Sequence, residues 1–91
     1  MPGLRTVVEG LRVSSKIDAE GSRYPRLEEA YDALKWWLAH EPNSGDAITD
    51  YWWACEQKGD SRANIPTLGA LYSFDEDEVY IASILIRLPE L

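Results

Sequence analysis

The sequence predicts an α+β fold, a small antiparallel sheet with one main amphipathic helix packed on one face. Three observations carry this. Apolar residues between Leu27 and Leu38 recur at the helical period. Three alternating or apolar stretches follow within residues 48–86, joined by short links that favour antiparallel pairing. Ninety-one residues and 10.3 kDa accommodate a single domain over 1–91, without room for a second core.

The first strand candidate runs from Leu4 to Val13. Val7, Glu9, Leu11 and Val13 share one face, and Thr6, Val8, Gly10 and Arg12 the other. Glu9 interrupts the apolar face, and Gly10 marks a bulge or an end, so Leu4–Val8 is the firmer part. Ser14 to Tyr24 is polar, contains Gly21 and precedes Pro25, and reads as a loop that could hold one helical turn. Arg12, Lys16 and Arg23 flank it as a small basic patch. The helix follows. Leu27, Ala30, Tyr31, Leu34, Trp37 and Leu38 occupy an arc of about 120° at 100° per residue. Glu28 and Glu29 oppose the positive end of its dipole, and His40 lies near the negative end. Pro42 stops the helix, and Asn43-Ser44-Gly45-Asp46 makes a turn. Trp36 falls away from the centre of the apolar face, which makes it the best candidate for partner binding.

Ile48 to Gln57 alternates, with aromatics on both faces, and reads as a strand covered on two sides. Lys58 to Ser61 forms a turn or loop. After Pro66, the residues Leu68, Ala70, Tyr72 and Phe74 share one face of a strand ending at Phe74. Asp75-Glu76-Asp77-Glu78 makes a solvated hairpin loop, and Val79–Ile86 is the last and most apolar strand, ended by Pro89.

Charge narrows the function classes. Nine Lys and Arg stand against sixteen Asp and Glu, for a net charge of −7. Binding driven by nucleic-acid phosphates normally shows the opposite sign. The imbalance is uneven, because residues 1–26 hold five basic and three acidic side chains and residues 27–91 hold four and thirteen. One cysteine, Cys55, makes no internal disulfide, and with one histidine it is too little for a structural zinc site. No apolar run approaches the roughly 18 residues of a membrane span, and no signal-peptide core is visible. The expectation is a cytoplasmic protein without metal or cofactor.

Two segments resemble a known family. Tyr31-Asp-Ala-Leu34-Lys-Trp-Trp37-Leu38 leading through Pro42 and Gly45 to Ile48 is similar to the helix and following turn of RelE/ParE-like toxins of bacterial toxin–antitoxin (plasmid stabilization) systems. Arg62-Ala-Asn-Ile65-Pro66-Thr-Leu68 through Tyr72, the acidic hairpin and Val79-Tyr-Ile81 resembles the later strands of that family. The resemblance covers 27–86 and implies a small antiparallel sheet with helices on one side. It also implies two activities. RelE-like members cleave messenger RNA on the ribosome and ParE-like members inhibit gyrase; an antitoxin neutralises both. In the cleaving branch, basic side chains hold the scissile phosphate and no metal is required. On this resemblance Arg62, Tyr72 and Arg87 are the candidate catalytic residues. Arg62 precedes the proline-containing strand, Tyr72 takes the place of the strand tyrosine, and Arg87 follows the last strand. Ala70 stands where relatives often carry Arg, and the first helix of the family is replaced by the polar stretch after Gly10. The implied partners are a cognate antitoxin, gyrase or the ribosome and its message, with a homodimer also open.

Each of these residues has a plainer reading. Tyr72 reads as a sheet aromatic, because a phenol with a pKa near ~10 is a poor base at neutral pH. Arg62 and Arg87 read as solvated or ion-paired cations, His40 as a group at a helix C-terminus, and Cys55 as a small buried hydrophobe. The acidic balance of the sheet half moves weight from cleavage toward protein binding. The expected function is a toxin–antitoxin-type protein acting on a protein partner, with RNA cleavage, or pairing with a neighbouring protein alone, as alternatives.

Overall fold

Residues 4–88 are described by a computed structural model. The chain runs β1 (Thr6–Glu9), α1 (Leu11–Glu20), α2 (Leu27–His40), a 3-10 turn (Pro42–Ser44), β2 (Asp46–Ala47), β3 (Trp53–Gln57), β4 (Thr67–Phe74) and β5 (Glu78–Arg87). The strands form one sheet in the order β1-β5-β4-β3-β2. β2, β3, β4 and β5 pair antiparallel, whereas β1 lies parallel to β5, so the sheet is mixed rather than antiparallel.

The α+β class and the helix over 27–40 hold, and the N-terminal expectations change. The strand expected over 4–13 is limited to Thr6–Glu9, and the loop expected over 14–24 is mostly helix. Gly10 stays extended and its carbonyl accepts the Val13 N–H at 3.0 Å, which starts α1 directly behind β1. Val13 and Ile17, one turn apart, bury on the sheet while Leu11 is 91% exposed. The fold therefore has two helices in place of one. The basic patch shrinks too, because Arg23 pairs with Glu20 at 3.5 Å. Only Arg12 and Lys16 stay side by side on α1.

α2 behaves as its periodicity requires: Leu27, Ala30, Tyr31, Leu34 and Leu38 are all buried. They meet Leu68, Ala70 and Tyr72 of β4 and Val79, Ile81 and Ile84 of β5 in one core with Val13 and Ile17. The register explains which strand residues point there. Leu68 opposes Ile86, Ala70 opposes Ile84, Tyr72 opposes Ile81 and Phe74 opposes Val79. A bulge at Leu71/Tyr72 places Ala82 as the extra residue and keeps the apolar series of β5 inward on both sides of it. Glu9, the acid on the core face of β1, is satisfied there by the Tyr31 hydroxyl, which donates to its carboxylate at 2.6 Å. Burial, reinforced by Glu9, pushes the Tyr31 phenol far above its ordinary value.

The strand expected over 48–57 shortens to Trp53–Gln57. Residues 48–51 bend instead, and the Thr49 hydroxyl accepts the backbone N–H groups of Tyr51 and Trp52 at 3.1 and 2.9 Å. Among the described residues β3 is covered on one side only. Trp53 packs inward against Phe74, with ring centroids 5.2 Å apart, and Ala54 and Glu56 face the other way. The end expected at Pro89 lies outside the described residues.

Candidate functional site

Alternation along the strands leaves a second face of the sheet with no helix on it among the described residues. Leu71, Ser83, Leu85 and Gly69 point there from β4 and β5, and Ala54 and Glu56 from β3. The small Ala54, opposite Leu71, and Gly69, opposite Leu85, leave an open trough of about 320 Å³ between the strands' larger side chains. Leu85 is 54% exposed, Tyr80 40% and Val8 37%, and Val8 and Tyr80 are cross-strand partners on this face. The trough ends at Arg87, whose guanidinium donates to the Glu56 carboxylate across the central strand. Beyond the pair, Lys58, Thr67 and Leu88 join Glu56 and Arg87 around a cavity of about 110 Å³. At the hairpin end, Tyr51 meets Ser73, Glu78 and Tyr80.

The three candidate catalytic residues are not gathered into one site. Tyr72 is fully buried; its hydroxyl donates to the Pro42 carbonyl at 2.5 Å and ties β4 to the turn after α2. In that position the phenol serves as a buried donor within the core. Arg62 is exposed in the turn between the bridged residues Asp60 and Ile65, and its backbone N–H donates to the Asp60 carboxylate. It lines neither cavity that Arg87 lines. Arg87 lies on the open face with its charge opposed by Glu56. Trp36 is 63% exposed on α2, stacked on His40 at 3.9 Å, and belongs to the helical layer rather than to this face. The His40 ring donates from Nδ1 to the Trp36 carbonyl at 2.7 Å, a second bond to a carbonyl of the last helical turn.

Asp75 is likewise used locally. Its carboxylate accepts the backbone N–H groups of Asp77 and Glu78, both at 2.8 Å, and these bonds hold it below the usual carboxylate range. Among the described residues no group of His, Cys, Asp or Glu is placed to hold a metal ion, and no helix is long and apolar enough to cross a membrane.

Sequence reasoning missed the open face. The signal was present in Val79–Ile86, which is apolar on both of its faces although only one meets the helices.

Two groups on the inner face make stability depend on alkaline pH. Burial pushes the Tyr72 phenol up to about 12 from 10.0 and the Cys55 thiol up to about 11 from 9.0. Both are neutral acids whose folded values are raised, so their contribution is complete below the unfolded values and is lost as pH rises through the folded ones. The urea midpoint is expected to fall from about pH 9 toward about pH 12. In Cys55→Ala the onset of the fall should move up to about pH 10, where Tyr72 and the likewise buried Tyr31 begin to titrate in the unfolded chain. A midpoint flat across that range contradicts the assignment.

No family model matches the chain, and neither a curated protein nor a solved structure matches it.

Proposed function

We propose that this chain works by binding a protein partner across the open face of its sheet, as a toxin–antitoxin-type protein of RelE/ParE-like character. The observation that carries the binding reading is the trough over Ala54 and Gly69, lined by Leu71 and Leu85 on a sheet face that no helix covers among the described residues. Apolar and aromatic groups grouped on one surface are the usual centre of a protein interface. The toxin–antitoxin part rests on the sequence resemblance over 27–86. Cleavage of RNA is the weaker reading, because Arg87 is neutralised by Glu56, Tyr72 is sealed in the core and Arg62 stands apart.

Induced expression in a bacterial host, with growth and transcript integrity followed together, tests the reading. Arrested growth with intact transcripts is expected. Cut transcripts would favour the ribonuclease alternative, and undisturbed growth would remove the toxin reading while leaving partner binding to be measured directly.

A further inference from the structure

β1 and β5 start in register but differ greatly in length. β1 pairs only with Glu78 to Ile81, and the chain then turns away through Gly10, whose N–H donates to the Ile81 carbonyl at 2.9 Å. β5 continues to Arg87. Its second half, Ala82 to Arg87, has β4 on one side and no strand on the other among the described residues. Backbone groups there point outward. The Ile84 carbonyl does so, because it accepts the Lys16 ammonium at 2.9 Å rather than a strand N–H. A residue's N–H and C=O point to the same side of a strand, and alternate residues repeat the direction. The N–H groups of Ile84 and Ile86 and the Ile86 carbonyl therefore lie along the same open edge. α1 runs beside it, and the trough between them, about 280 Å³, is lined by Arg12, Val13, Lys16, Ala82, Ser83 and Ile84.

We infer that this edge of β5 accepts one extended segment of another protein as an added strand, and that the segment carries carboxylates at alternate positions. The edge supplies the backbone pairing, as unpaired strand edges do. The charges supply the choice of partner. Arg12 and Lys16 stand one turn apart on α1 above the edge, and neither forms an ion pair among the described residues. Side chains of an added strand that point toward α1 meet these two cations, and those pointing the other way extend the apolar surface of Val8 and Leu85. The matching segment thus alternates acidic and apolar residues. A second copy of this chain is disfavoured as occupant, because pairing β5 with its own two-fold mate would bring two sets of Arg12 and Lys16 together. In the free protein Lys16 acts as the guard of the edge, a role lysine commonly has on exposed strands. This edge borders the open face at Val8 and Leu85, and protection of the Ile84 and Ile86 amides tells strand addition from binding in the trough.

The probe is a labelled synthetic peptide of alternating Glu and Val, added to the full chain at low salt and followed by fluorescence anisotropy and amide hydrogen exchange. Saturable binding is expected, with the Ile84 and Ile86 amides becoming protected as the peptide binds. Arg12→Glu combined with Lys16→Glu should weaken binding about tenfold, and a Lys–Val peptide of equal length should bind the wild type no better than that. Both substituted positions are exposed, and an unchanged thermal midpoint verifies that the double variant is folded. Absence of binding, equal binding of the Lys–Val peptide, or binding that leaves Ile84 and Ile86 unprotected overturns the inference.

Discussion

Tyr72→Ala is expected to cost about 3–5 kcal/mol of stability, the range for deleting a large buried aromatic, a large fraction of what a domain of this size possesses. Tyr72→Phe isolates the hydroxyl. It leaves the ring in place and removes the donor from the buried Pro42 carbonyl, for a loss of about 1–3 kcal/mol. The surroundings were built for that bond. A Cβ at Gly45 would fall on the phenol oxygen and within 2.7 Å of the Ala54 carbonyl, so the turn after α2 requires the bare backbone there. Urea unfolding of the two variants checks both figures. The pair also separates structure from chemistry, because a catalytic phenol would lose activity in Tyr72→Phe without losing stability.

Gly59→Ala is the second large effect. The new Cβ would lie 2.6 Å from the Pro66 carbonyl oxygen and collide with the Ile65 carbonyl. Neither neighbour can give way easily. Ile65 exchanges two hydrogen bonds with Asp60, each 2.9 Å, and the Gly59 N–H is itself held by the Thr67 hydroxyl at 2.9 Å. Overpacking of this kind costs about 1–3 kcal/mol. Gly69→Ala is the matched control, since its Cβ would meet Leu85 and Cys55 at 3.6 and 3.8 Å, ordinary contact distances. A thermal midpoint lowered in Gly59→Ala and nearly unchanged in Gly69→Ala is the expected result; equal shifts contradict it.

The fold was legible in the sequence wherever one period dominated. α2 carries six apolar residues on a single helical stripe, and β4 alternates from Leu68 to Phe74, so both appear where expected. The N-terminal segment was ambiguous because Leu11 and Val13 fit a period of two as well as Val13 and Ile17 fit one of four. Burial decides it: Val13 and Ile17 are covered and Leu11 is not. The parallel β1–β5 pair was illegible for a different reason. Residues distant in the chain meet there, and nothing local to Thr6–Glu9 specifies its neighbour. The same holds for the candidate surfaces. Arg87 meets Glu56 and Tyr72 meets Pro42 only through the sheet register and the turn after α2, so neither contact was visible when the resemblance pointed to catalysis. Trp36, the residue singled out for partner binding, is exposed but lies on the helical layer, away from the trough.

The most direct test of the partner-binding account is site-specific photo-crosslinking in cells that contain the partner. A photoreactive amino acid replaces Leu85 on the open face, or the exposed Ala33 on α2 as the comparison. The account predicts a discrete protein adduct from position 85 and none from position 33. Adducts to RNA from position 85, or protein adducts formed equally from both positions, would contradict it.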